Sequence, residues 1–186
     1  MDKEFIDIML KRRTTRSFKP DPIDKNKIDL ILQAAIWAPS AHNRQPWHFT
    51  IVSDKKLINK MNIDAKEASI NSDDKLYHGW ANNAKYDSFY GAPVIIVLSY
   101  SDKGFSPIED LAAASQNMLL AAESLGLGAC WNGFIAVMFR EKDKMAEYSK
   151  SLFLPEGFRP HHAIAFGYLD GKPRKPPERT GSYNYI

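Results

Sequence analysis

Arg12-Arg13-Thr14-Thr15-Arg16-Ser17-Phe18 gathers three guanidinium groups and three hydroxyls into one short stretch. In an extended chain successive side chains alternate, so Arg12, Thr14 and Arg16 would project to one side and Arg13 and Thr15 to the other. Planar, permanently charged forks beside a hydroxyl suit a phosphate group. A solvated basic turn after a helix would look the same in sequence. Nucleic acid fits less well, because no aromatic residues are interleaved as stacking platforms. A second basic stretch, Lys172, Arg174, Lys175 and Arg179, lies near the other end of the chain. The two clusters either converge on one anion or form separate solvated faces.

Two further segments carry chemistry. Ala38-Pro39-Ser40-Ala41-His42-Asn43-Arg44-Gln45-Pro46-Trp47 mixes donors and acceptors of several kinds. Such a set suits a heterocycle better than a metal, since His42 has no second ligand at metal spacing. Gly126-Leu127-Gly128-Ala129-Cys130-Trp131-Asn132-Gly133 is neither a dinucleotide fingerprint nor a phosphate loop of the Walker type. Gly133 could let backbone approach a flat ring, and Gly126 reads as a helix C-cap. Cys130 reads as a small buried residue. His161 and His162 head a predicted strand, where neighbours face opposite ways, so they are not expected to share a metal.

These residues need elements to hold them. Helices are predicted from Asp2 to Lys11 (Phe5, Ile6, Met9 and Leu10 on one face), from Lys25 to Trp37 behind an Asp24 N-cap, and from Pro107 to Leu125. The second is apolar nearly all round from Ile28 onward and should be buried. Shorter helices are expected at Asp54–Met61 and Glu141–Leu152. Strands are expected at Trp47–Val52, Pro93–Tyr100, Ala129–Asn132 and His161–Leu169, the second being a continuous apolar run. The stretch 62–90 is polar yet rich in Tyr and Trp, which suggests a partly helical lid. The tail after Gly171 holds Pro173, Pro176 and Pro177 and reads as an extended arm.

Composition bounds the rest. The chain has 186 residues, of which 44% are hydrophobic and 25% charged, as in an ordinary single globular domain. A net charge of +3 is too small to imply a nucleic-acid partner. The single cysteine rules out an intrachain disulfide and a Cys-based zinc cage, and points to a reducing, cytoplasmic setting. The longest apolar run is too short for a membrane span.

Taken in order, RRTTRSF, APSAHNRQPWHF, ASQNMLLAAESLGLGACWNG and the closing Gly-Tyr strand with its basic tail resemble the FMN-dependent nitroreductase family nearly end to end. Thr14 stands where that family usually has Ser, and 62–90 matches no family feature. The resemblance implies an α+β fold over residues 1–186, with a mixed central sheet flanked by helices. It implies an intertwined homodimer with FMN at the interface; the lid at 62–90 and the extended arm at 170–186 rest on the residues themselves. Carried over by motif, Arg12, Arg13, Thr14 and Arg16 would hold the phosphate and ribityl chain, joined by Lys175 or Arg179. Asn43 and Gln45 would bond the isoalloxazine from one side, and Pro39 and Ser40 would reach it from the other subunit. Trp131, Asn132 and Gly133 would line its reactive edge. His42, Tyr77, Trp80, Phe89 and Tyr90 would form the substrate pocket.

No metal and no catalytic side chain are then expected, because the flavin carries the chemistry. The implied activity is NAD(P)H-dependent reduction of a nitroaromatic, a quinone or an enone by ping-pong exchange, with no nucleic acid or membrane partner. The rivals are a flavin-storage protein without turnover, an anion- or nucleic-acid-binding domain, and another reaction on the same scaffold such as reductive dehalogenation.

Overall fold

A computed structural model describes residues 4–186, so the predicted helix start at Asp2 lies outside the described residues. Six α-helices and four strands follow in the order α1 (Glu4–Lys11), α2 (Lys25–Ile36), β1 (Trp47–Val52), α3 (Lys55–Glu67), α4 (Lys75–Ala81), β2 (Val94–Ser101), α5 (Pro107–Ser124), β3 (Gly128–Asn132), α6 (Lys142–Ser151) and β4 (Phe158–Gly167). A 3-10 helix, Phe134–Arg140, joins β3 to α6. The sheet order is β1-β2-β4-β3. All three strand pairs are antiparallel. The parallel part of the expected mixed sheet is reduced to one bridge, Thr14 to Ala129, by which the Arg-rich segment runs along the β3 edge.

Two apolar layers enclose the sheet. One face carries Ile96, Leu98, Ile164 and Phe166 against α2 and α5, including Ile31, Leu111 and Met118. The other carries Ile95, Val97, Ala163 and Ala165 against α3, α6 and the 3-10 helix. This explains why β2 reads as an unbroken apolar run: it is buried on both sides.

The expectation for α2 is only half met. Ile28, Ile31 and Ala35 are buried, but Leu30, Ile36 and the following Trp37 stay exposed. The apolar face of α1 is also uncovered, with Phe5, Ile6, Met9 and Leu10 all exposed. Asp24 precedes α2, yet its side chain makes no capping bond. Its carbonyl accepts the Lys27 and Ile28 amides instead.

Asp64, on α3, ties that helix to α6 within the second layer. Its carboxylate meets Lys60 at 2.6 Å and Lys144 at 2.9 Å. It also accepts the Tyr148 hydroxyl at 2.6 Å. Burial pushes its carboxyl up, but the bonds from Lys60, Tyr148 and Lys144 outweigh that and hold it below the usual carboxylate range. The same cluster, after burial, raises the Tyr148 phenol.

Candidate functional site

The C-terminal end of α5 organises the first cavity. Gly126 takes φ +71°. Its amide donates to Glu123 and that of Leu127 to Ala122, which closes the helix in a Schellman turn. The chain then enters β3 at Gly128, and a Cβ there would lie 2.5 Å from Thr15 Oγ1. Glycine is therefore required for the Arg-rich segment to lie so close to β3. The Thr15 amide donates to Ala129 at 3.0 Å, and the Asp170 amide donates to Ser17 at 3.0 Å. The segment is thus held from both sides.

This close docking builds a cavity of about 440 Å³ lined by Lys11, Arg13, Arg16, Lys172 and Arg174 together with Thr14, Thr15, Gly128 and others. Among the described residues none of these five cations forms an ion pair. Glu123 and Asp170 line the same cavity, so five cations face two carboxylates, and the excess of positive charge beside a hydroxyl suits an anion. The two basic stretches do converge, but not through every predicted residue. Arg12 is half-buried and does not line the cavity, while Arg13 does. The alternation argument fails because only Thr14 is bridged to the sheet and the chain is not a regular strand. In the tail, Arg174 and Lys172 line the cavity, whereas Lys175 and Arg179 do not.

Arg16 also borders a second cavity, of about 170 Å³, lined by Tyr77, Trp80, Tyr86, Tyr90, Phe134, Cys130, Trp131, Asn132, Gly133 and Ser88. Its guanidinium lies over the Tyr90 ring at 6.0 Å. Asn132 is buried and donates to the Ser88 carbonyl at 2.9 Å. Among the described residues the buried Ser88 hydroxyl has no hydrogen-bond partner, and Ser88 borders this cavity. Burial raises the Tyr86 phenol, with the Tyr90 hydroxyl adding to the effect. Burial also raises the Cys130 thiol, which leaves it a poor nucleophile despite the opposing pull of Arg16.

The aromatic region is not a free lid. Tyr77, Trp80 and Tyr86 each set an edge against Phe134, which anchors them to the core. Phe89 is fully buried in that core and does not border the aromatic cavity. Tyr86 and Ser88, which the sequence does not single out, do border it.

The loop 38–46 lies elsewhere. The Ala41 amide donates to the Asp110 carboxylate at 2.8 Å, at the N-terminal end of α5. The other Asp110 oxygen is buried without a partner. His42, Asn43 and Gln45 take φ of 52°, 53° and 48°, the sparsely populated left-handed region. His42 sets its ring edge against Phe105 at 4.8 Å and borders neither cavity. The Gln45 amide donates to Ser40 Oγ and its side chain to Asn43 Oδ1, both at 3.0 Å. With Pro39 beside them these residues form one unit, so Asn43 and Gln45 cannot reach a ligand from one side while Ser40 reaches it from the other subunit. α5 has 18 residues and spans about 27 Å between this loop and the cationic cavity.

His161 and His162 also depart from expectation. β4 starts earlier, at Phe158, and is irregular here, with Leu98 opposite His162 and Ser99 opposite Pro160. The two imidazoles therefore meet, Nδ1 to Nδ1, at 2.8 Å. Among the described residues no group of three or more His, Cys, Asp or Glu side chains could hold a metal ion. None of the helices there is long and apolar enough to cross a membrane.

The pattern that defines the Nitroreductase family matches residues 9–168. The chain belongs to that family. A crystal structure of a nitroreductase with bound FMN from Bacteroides fragilis superposes with a TM-score of 0.89 at 27% identity, covering 100% of both chains. A Methanothermobacter thermautotrophicus protein with the provisional name NADH dehydrogenase/NAD(P)H nitroreductase is 31% identical over 84% of this chain and 73% of its own. The FMN reductase (NADPH) of Bacillus subtilis is 26% identical over 93% of this chain and 70% of its own. This member keeps the family's α+β scaffold, and its aromatic segment packs on Phe134 through Tyr77, Trp80 and Tyr86.

Proposed function

We propose that this nitroreductase-family protein is an FMN-dependent NAD(P)H oxidoreductase acting in the cytoplasm on small aromatic or conjugated acceptors such as nitroarenes, quinones or enones. The observation that carries the reading is the pair of cavities joined at Arg16, one cationic and one aromatic. That pairing fits a molecule with a phosphate at one end and a flat ring at the other. The FMN of the Bacteroides fragilis relative and the donors named for the other two support the same choice.

Arg13, Thr14, Arg16, Lys172 and Arg174 would hold the phosphate and ribityl chain. Asn132, Gly133, Ser88 and Trp131 would border the ring. Bound FMN supplies the hydride chemistry. The chain itself orients, neutralises charge and excludes water; Arg16, at the junction, favours an electron-rich ring by charge compensation. NAD(P)H and the acceptor use one space in turn, a ping-pong order.

The functional unit is a homodimer. The loop with Ser40, Asn43 and Gln45 cannot reach the cationic cavity of its own chain across α5. A second copy placed with its α5 running the opposite way brings that loop to it. The exposed Phe5, Ile6, Leu10, Leu30 and Trp37 provide the apolar face such pairing would cover.

Purified protein should be yellow and release FMN on heating. It should oxidise NADH or NADPH only when an acceptor is present, and sediment as a dimer. A colourless protein that takes up no added FMN would refute the proposal, and flavin bound without NAD(P)H oxidation would favour storage.

A further inference from the structure

His162 lies outside both cavities, yet it is the best-held polar side chain near them. The ring is only 1% exposed. Its Nε2 lies 2.8 Å from the Ser115 hydroxyl on α5. Its Nδ1 lies 2.8 Å from Nδ1 of His161, the residue displaced at the β4 irregularity. Both ring nitrogens are thus fixed, from a helix on one side and from its own strand on the other. As a neutral ring His162 donates through one of these nitrogens and accepts through the other. Burial, reinforced by His161, holds its pKa down at about 3, so it stays neutral at ordinary pH.

Trp131 stacks on this ring, with centroids 4.7 Å apart and planes inclined by 12°. Trp131 is 39% exposed and lies near the end of β3, an edge strand of the sheet. An indole that open to solvent has several rotamers available unless a neighbour selects one. Trp131 also borders the aromatic cavity. We infer that His162 is a positioning residue, a flat plate locked by Ser115 and His161 that fixes the Trp131 indole and so shapes the wall the acceptor meets. The consequence for the acceptor rests on the proposed function; the consequence for Trp131 does not.

The test uses the full-length protein and three variants. His162→Gln keeps hydrogen-bonding groups and removes the plate. His162→Phe keeps the plate and removes the bonds. Ser115→Ala releases one of the two holds. Trp131-dependent emission, obtained by difference against Trp131→Phe in each background, reports the indole directly. In His162→Gln it should shift red and become more open to acrylamide quenching. The KM for a nitroarene acceptor should rise about twofold to tenfold, the population change that losing an aromatic stack allows, with kcat and flavin content held. His162→Phe should restore both readouts toward the parent. Should either His162 variant fail to fold, Ser115→Ala must still increase quenching of Trp131. Unchanged Trp131 emission in the folded variants, or a Phe variant that behaves like the Gln variant, would overturn the inference. A protein without flavin would remove the proposed function, while Trp131 emission in the same samples would still decide the positioning claim.

Discussion

Replacing Gly128 by Ala tests whether the close docking of the Arg-rich segment builds the cofactor site. The added methyl would meet Thr15 Oγ1 at 2.5 Å and both Cβ and Cγ2 at 2.7 Å. Rotating the threonine gives no relief, because its Cβ is itself in the clash. Ordinary carbon contacts begin near 3.5 Å, so Thr15 must withdraw by about 1 Å. It cannot withdraw alone: its amide is bonded to Ala129 and Thr14 is bridged to the same residue. The whole 13–16 segment must shift, and Arg13 and Arg16 shift with it. Overpacking of this kind costs about 1–3 kcal/mol of stability. Loss of one charge-assisted phosphate contact weakens binding by about 1.5–3 kcal/mol, or roughly tenfold to a hundredfold. Gly157→Ala is the control. That position is strained for alanine at φ +80°, no atom lies within 4 Å of the added methyl, and it borders neither cavity. It should lower stability by about 1–2 kcal/mol and leave flavin affinity near the parent value. FMN affinity from quenching of flavin fluorescence, measured beside Tm, separates the two. If Gly128→Ala binds FMN as tightly as Gly157→Ala, the reasoning about the segment is wrong.

Arg16→Ala and Arg174→Ala should each weaken FMN binding by about tenfold to a hundredfold, while Lys175→Ala and Arg179→Ala leave it unchanged; titration of apoprotein with FMN checks this. Asp64→Asn should lower stability by about 1–3 kcal/mol at neutral pH, read from urea unfolding. The folded carboxyl is held below its unfolded value, so its contribution is present above the unfolded pKa and fades as pH falls through the folded one. The gap between parent and variant should therefore close in acid and stay open at pH 7. Asp110→Ala removes the anchor of the Ala41 amide, so limited trypsin digestion should cut after the exposed Arg44 many times faster than in the parent, with global Tm lowered only slightly.

Much of the scaffold is legible because its signals are local. The apolar run of β2 and the Pro107 start and Gly126 stop of α5 each depend on neighbours in sequence, and each lies where expected. The site is less legible because its membership is set by long-range contacts. Which arginine turns inward depends on Thr15 packing against Gly128, more than a hundred residues away. Phe89 and Tyr90 are adjacent and equally aromatic, yet one is sealed in the core and the other opens to the cavity. The meeting of His161 and His162 follows from an irregular pairing with Ser99 and Leu98 that no period-two pattern contains. Exposed apolar residues on α1 and α2 mislead in the opposite sense: the sequence shows that they should be covered but not by what.

The length of α5 has a genetic consequence. With the Ser40–Gln45 loop at one end and the cationic cavity at the other, damage to the two ends falls on different chains of any one site in the proposed dimer. A chain crippled only at Asn43 and a chain crippled only at Arg16 would each be inactive as homodimers. Refolded or co-expressed together, they would form mixed dimers in which one site inherits both defects and the other inherits neither. Two inactive alleles would then complement each other, whereas two lesions at the same end of the helix would not.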